Sequence, residues 1–112
     1  MMELFSLDSL LQGLEKLSQE ICFKRCFQGE KFEAGLVLFR PVPTEGRDSK
    51  QINHPDKDLV CHVLKGRGIL RIRGEVIEVK AGSLCHIPKN TPHDFSAKDE
   101  ELLIFYITIT QG

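Results

Sequence analysis

From Ile21 to Thr110 the chain is a succession of short apolar segments, each closed by glycine, proline or a polar turn, and no segment keeps a helical period. This punctuation constrains the fold more than any other feature. Segments 21–28 and 32–40 read as two strands around a tight turn at Gly29-Glu30. Residues 41–49 carry two prolines, a glycine and mostly polar side chains, and read as a loop. Strands are then expected at 59–65, 69–73, 76–80, 84–87, 93–96 and 102–110, separated by Gly66, Gly68, Gly74, Gly82 and the Pro88 to Pro92 turn. Many short strands without helices between them predict an all-β sandwich or barrel and exclude βαβ units. A chain of 112 residues has room for one such core, so a single domain over 1–112 is expected, its barrel at about 21–110.

The period changes before residue 20. Leu7, Leu10, Leu11, Leu14, Leu17 and Ile21 recur at three- and four-residue spacing and predict a short N-terminal α-helix over 6–18, capped by Ser6 or Asp8. Gly13 inside it costs ~1 kcal/mol relative to alanine, so the helix must draw its stability from packing on the barrel. Arg71 and Arg73 alternate with Leu70 and Ile72, which puts the arginines on a wet face. Residues 102–107 show no alternation and should be buried on both faces, one toward the interior, the other under the helix or a second subunit. A homodimer is the expected assembly.

Fifteen basic and sixteen acidic side chains give a net charge of −1, and no basic recognition helix is present, so no nucleic acid partner is expected. The longest apolar run, 102–107, is far short of the ~20 residues of a spanning helix, so no membrane partner is expected. Residues 1–17 have no basic start followed by an apolar run, and they do not read as a leader. The four cysteines Cys22, Cys26, Cys61 and Cys85 are therefore read as reduced, mostly buried thiols of a cytoplasmic protein. No phosphate-binding glycine loop and no Gly-x-Ser-x-Gly elbow occurs.

Two segments carry a resemblance. Gly82, Pro88 and His93 keep the spacing Gly-x5-Pro-x-Gly-x2-His of the second cupin motif, with Asn90 in place of the second glycine and Ser83 expected as a turn cap. Gly46, Ile52-Asn53-His54, Leu59 and Gly66 fall on the frame of the first motif, Gly-x5-His-x-His-x3–4-Glu-x6-Gly. From about Phe32 to Thr110 the chain resembles a small cupin. The resemblance implies a double-stranded β-helix, that is, a jelly-roll barrel whose lumen holds the site.

In that family three histidines and a glutamate typically hold a divalent transition metal such as Zn, Ni, Fe or Mn. Carried over, the ligand positions are Ile52, His54, Leu59 and His93, so two of the four are apolar. If Leu59 faces inward, so do Cys61 and Val63, while Asp58 and His62 face out; Cys85 and Ile87 face in and His86 out. A one-residue shift would reverse that face. Two readings stay open: a metal site on His54 and His93 helped by Cys61 and Cys85, or two hydrogen-bonded imidazoles beside small buried thiols. His62 and His86 are expected on the outer surface, as cross-strand neighbours. An apolar lumen of Ile52, Leu59, Val63, Ile87 and Phe95 with two imidazoles fits a small-molecule ligand. Whether the chain acts on that ligand, with His93 and His54 as proton-transfer groups, or only binds and senses it is left open. A structural oligomerisation domain is a third, weaker reading.

Overall fold

A computed structural model of the chain describes residues 2–42 and 51–111. Among these residues nine strands follow one helix: α1 (Leu7–Gln12), β1 (Glu15–Lys16), β2 (Ile21–Gln28), β3 (Phe32–Phe39), β4 (Lys57–Lys65), β5 (Arg67–Ile72), β6 (Glu75–Lys80), β7 (Leu84–Ile87), β8 (His93–Ala97) and β9 (Leu102–Thr110). They form a six-stranded sheet in the order β1-β2-β3-β9-β4-β7 and a three-stranded sheet β6-β5-β8, with every pairing antiparallel. The all-β jelly-roll expectation holds. Residues 43–49 of the expected loop, Gly46 among them, lie outside the described residues.

The alternation along β4 is the one expected. Leu59, Cys61 and Val63 are buried, and Val60 and His62 are exposed. These three join Phe39, Leu70, Val79, Ile87, Phe95, Leu102, Ile104 and Tyr106 in one core between the sheets. β9 is buried on both faces, as its unbroken apolar run requires: Leu102 and Ile104 belong to this core, and Leu103 to a second cluster with Cys26 and Leu36. The N-terminal segment covers the second cluster through Leu10 and Leu14.

The helix is shorter than its stripe. It stops at Gln12, and Gly13 is its C-cap, donating its N–H to Leu10 O at 3.1 Å. Ser6 caps the start by accepting the Ser9 N–H. Six residues form barely two turns and could not persist without contacts. Beyond Gly13 the chain gains more by pairing than by winding: Glu15–Lys16 adds a strand to the open edge of β2, opposite Phe23 and Cys22. A turn follows in which Ser18 Oγ accepts the N–H groups of Glu20 and Ile21. Leu17 and Ile21 therefore belong to the mouth of the barrel and not to a helical face.

Three smaller departures have local causes. Arg73 lies in the β5–β6 turn rather than the strand, because a two-residue turn needs positive φ at both positions and Arg73 and Gly74 adopt φ +53° and +76°. Arg71 is not simply solvated; its guanidinium sits 3.5 Å from Asp94 on β8. His62 pairs with Leu84 and His86 with Val60, so the two outer histidines are diagonal and not opposite. Gly66 is at φ +89°, and a Cβ there would run into the Glu101 carbonyl, so this turn admits glycine alone.

The covering role of the N-terminal segment is measurable by urea denaturation. Leu36→Ala, at the buried centre of the second cluster, should cost about 3 kcal/mol. Leu14→Ala, half-buried, should cost roughly 1–2 kcal/mol, and the exposed Leu7→Ala within about 0.5 kcal/mol. Equal losses at positions 7 and 14 would mean a continuous helix in solution.

Candidate functional site

The barrel encloses a cavity of about 330 Å³ that opens near Leu17 and Ile52. Its walls are mainly apolar, with Ile21, Val37, Leu59, Phe95 and Ile104 among them, and both His54 and His93 line it. The sheet register produces this. In β2 the inward residues are Ile21 and Phe23, and an extra residue at Cys26 resets the phase so that Cys22, Cys26 and Phe27 all stay off the lumen. Of the apolar lumen residues expected, Ile52, Leu59 and Phe95 line the cavity, whereas Val63 and Ile87 lie in the core beyond it.

His93 opens β8 and is 3% exposed. Its Nδ1–H donates to the Thr91 carbonyl at 2.9 Å, which leaves Nε2 as the basic nitrogen of the neutral ring. The ring also lies edge-on to Phe95, 6.2 Å between centroids. The turn before it depends on Asn90, which takes φ +59°, the conformation that the motif's glycine would adopt. Asn90 N–H donates to His54 O at 2.7 Å, and Asn53 Nδ2 donates to Asn90 Oδ1. Ile52 and His93 exchange both backbone hydrogen bonds, at 2.7 and 2.9 Å. The two motifs are thus clamped together, and the imidazoles of His54 and His93 meet at 5.8 Å between centroids. Burial, then the neighbouring His93 and Lys57, push His54 below its ordinary value, and Asp56 and Glu33 offset this only in part.

The thiols form a separate pair. Cys61 and Cys85 are directly opposite in β4 and β7. The adjoining Cys85 thiol and burial push Cys61 far above the usual thiol range. Cys61 reaches the cavity wall; Cys85 does not. All four cysteines are free. Among the described residues no three His, Cys, Asp or Glu side chains come together as a metal-holding group. Ile52 and Leu59 offer no donor atoms at the other two ligand positions, so the donor set present does not fit the four-ligand metal that the family implies.

Besides Asp94 and Thr108, three polar lumen residues escaped the sequence reading. Tyr106 on β9 donates its hydroxyl to Glu33 Oε2 at 2.7 Å, and Glu33 Oε1 faces Arg25 Nε at 3.3 Å. Gly35 makes this possible, since a Cβ there would stand 2.9 Å from the Tyr106 hydroxyl and against the Lys24 carbonyl. Burial and the Glu33 bond both raise Tyr106, keeping it a donor. Lys57 is the third; two residues before Leu59 on the inward face of β4, it lines the cavity beside His54. Period two from Leu59 would have found it.

The depressed His54 has a consequence for stability. The folded protein binds fewer protons at this site than the unfolded chain, so its contribution is complete above the unfolded value near 6.5 and is lost as pH falls toward the folded value. Thermal unfolding followed from pH 7.5 to 5 should show a midpoint falling below pH 6.5, flattened in His54→Gln. In Lys57→Met the His54 ring, followed by NMR, should titrate closer to its ordinary value.

No helix among the described residues is long and apolar enough to cross a membrane. No curated protein matches the sequence. Solved structures do match in shape. The TT1209 protein of Thermus thermophilus superposes with a TM-score of 0.78 at 21% identity, over 99% of this chain and 100% of that one. KdgF from a Halomonas species gives 0.71 at 19% identity, over 88% of this chain and 86% of that one. A predicted oxalate decarboxylase from Thermotoga maritima gives 0.74 at 16% identity, over 87% and 91%. At these identities the likeness is one of fold. The family model described as the cupin domain matches residues 41–109, the stretch that holds both histidines and both motif turns, and the chain belongs to that family.

Proposed function

We propose that the chain binds a small organic molecule in the barrel lumen against His54 and His93, without a resident metal. The observation that carries this reading is the cavity itself: about 330 Å³, apolar on most of its wall, with two adjacent imidazoles to orient a ligand. Apolar contact supplies affinity and the imidazoles supply direction. Turnover is favoured over passive binding by one detail. His93 donates Nδ1–H to Thr91 O, so its Nε2 is a fixed proton acceptor, and His54 is held neutral beside it. Such a pair suits abstraction or relay of a proton from a bound carbonyl compound. His93 and His54 are the catalytic candidates on this reading.

Two measurements test it together. Metal analysis of untagged protein should find less than about 0.2 equivalents per chain, because two ligand positions lack donor atoms. A fragment screen read by NMR should give hits that move the ring protons of both His54 and His93, and His93→Ala should weaken them. One equivalent of metal lost in both histidine variants would overturn the metal-free reading. Hits that consistently leave both rings unmoved would overturn the lumen site.

A further inference from the structure

The charges around the lumen are not evenly matched. Among the described residues two carboxylates line it, Glu33 and Asp94. Glu33 is engaged by Arg25 at 3.3 Å and by the Tyr106 hydroxyl at 2.7 Å, and Asp94 faces Arg71 at 3.5 Å. Lys57 is different. Among the described residues its ammonium has neither an ion-pair nor a hydrogen-bond partner, although it is half-buried and lines the cavity. Asp58, the next residue, points away and spends its carboxylate on the Lys89 N–H and the Gln111 amide, at 2.9 and 3.0 Å. The field of Lys57 falls instead on His54, where it adds to burial and to His93 in lowering that histidine below its ordinary value.

A half-buried cation that has no ion-pair partner among the described residues, on a strand whose next inward residues are Leu59, Cys61 and Val63, is stabilised by an opposite charge in the lumen. A partner in the lumen would be an anion. Much of the remaining wall, Phe23, Val37, Phe39 and Ile104 among it, suits an apolar body. A single ammonium beside a neutral imidazole matches one singly charged head; a phosphate would demand several donors.

We infer that Lys57 is the recognition group of the lumen and that its ligand is an apolar molecule bearing one carboxylate. The inference rests on the lumen being the binding site. The carboxylate sits at the Lys57 end, within reach of His54, and the apolar body runs inward past Leu59 toward Phe95. Lys57 thereby selects among ligands that the apolar wall alone would not distinguish.

The test uses three molecules of one shape: 4-phenylbutyrate, 4-phenylbutan-1-ol and 4-phenylbutylamine. Each is titrated into the intact protein, with affinity from calorimetry and occupancy of the lumen from the His54 and His93 ring protons. The acid should bind about tenfold or more tighter than the alcohol, and the amine weakest, as one charge-assisted hydrogen bond requires. Lys57→Met, which keeps the aliphatic stem, should bring acid and alcohol together, and Lys57→Arg should keep them apart. If the acid and alcohol bind the wild-type lumen equally, the role of Lys57 is overturned and the lumen remains a binding site. If none of the three moves either ring, both fall. The wild-type series decides even if the Lys57 variants fold poorly.

Discussion

The pairing of β4 with β9 is the constraint from which the site follows. β9 lies between β3 and β4 in the larger sheet and is buried on both faces, so it has no free choice of phase. Its register with β4, Leu59 opposite Thr108 and Cys61 opposite Tyr106, turns Lys57, Leu59, Cys61 and Val63 inward together. A slip by one residue would exchange them for Asp58, Val60 and His62. That would bury an anion and an imidazole while exposing three apolar side chains. The burial lost by those three alone, at roughly 1.5–3 kcal/mol each, outweighs any local gain in the loops.

β9 also ties the lumen to its rim. Tyr106 faces inward from the strand, passes over Gly35 and reaches Glu33, which Arg25 holds from β2. Three strands are thereby cross-linked by polar contacts along the cavity wall. The Ile52–His93 bridge and the Asn90–His54 hydrogen bond join the two motif segments through the backbone. The histidines are positioned by main-chain bonds, and exchange of their side chains should leave the clamp standing.

Much of the fold was readable because strands buried on one face announce their period. Leu59, Cys61 and Val63 alternate with exposed residues and could be assigned inward. The motif turn was readable too, down to Asn90 replacing glycine at a positive φ. Two things were not. The leucine stripe of the first 21 residues has a helical period, yet Leu14 and Leu17 owe their places to a hairpin onto β2; periodicity records burial and is silent on edge pairing. The Tyr106–Glu33–Arg25 chain was hidden because its members are separated by 73 residues between Glu33 and Tyr106, and only register brings them together. The thiols illustrate the same limit. Their period of two puts both on one face of the sheet, but their direct opposition across β4 and β7 follows only from register.

Leucine at position 59 and isoleucine at position 52 do more than remove ligands. A carboxylate at 59 would have been an anion two residues from Lys57 on the same face, and the ammonium would have had an answer within the protein. With leucine there, the cation is left facing the cavity, and His54 loses the negative neighbour that would have favoured its charged form. Leucine at position 59 thus replaces a carboxylate with an apolar wall and leaves the positive charge of Lys57 facing the cavity. Each of these properties favours an apolar acid over a hydrated metal ion, because desolvating the ion requires donors that the wall no longer offers.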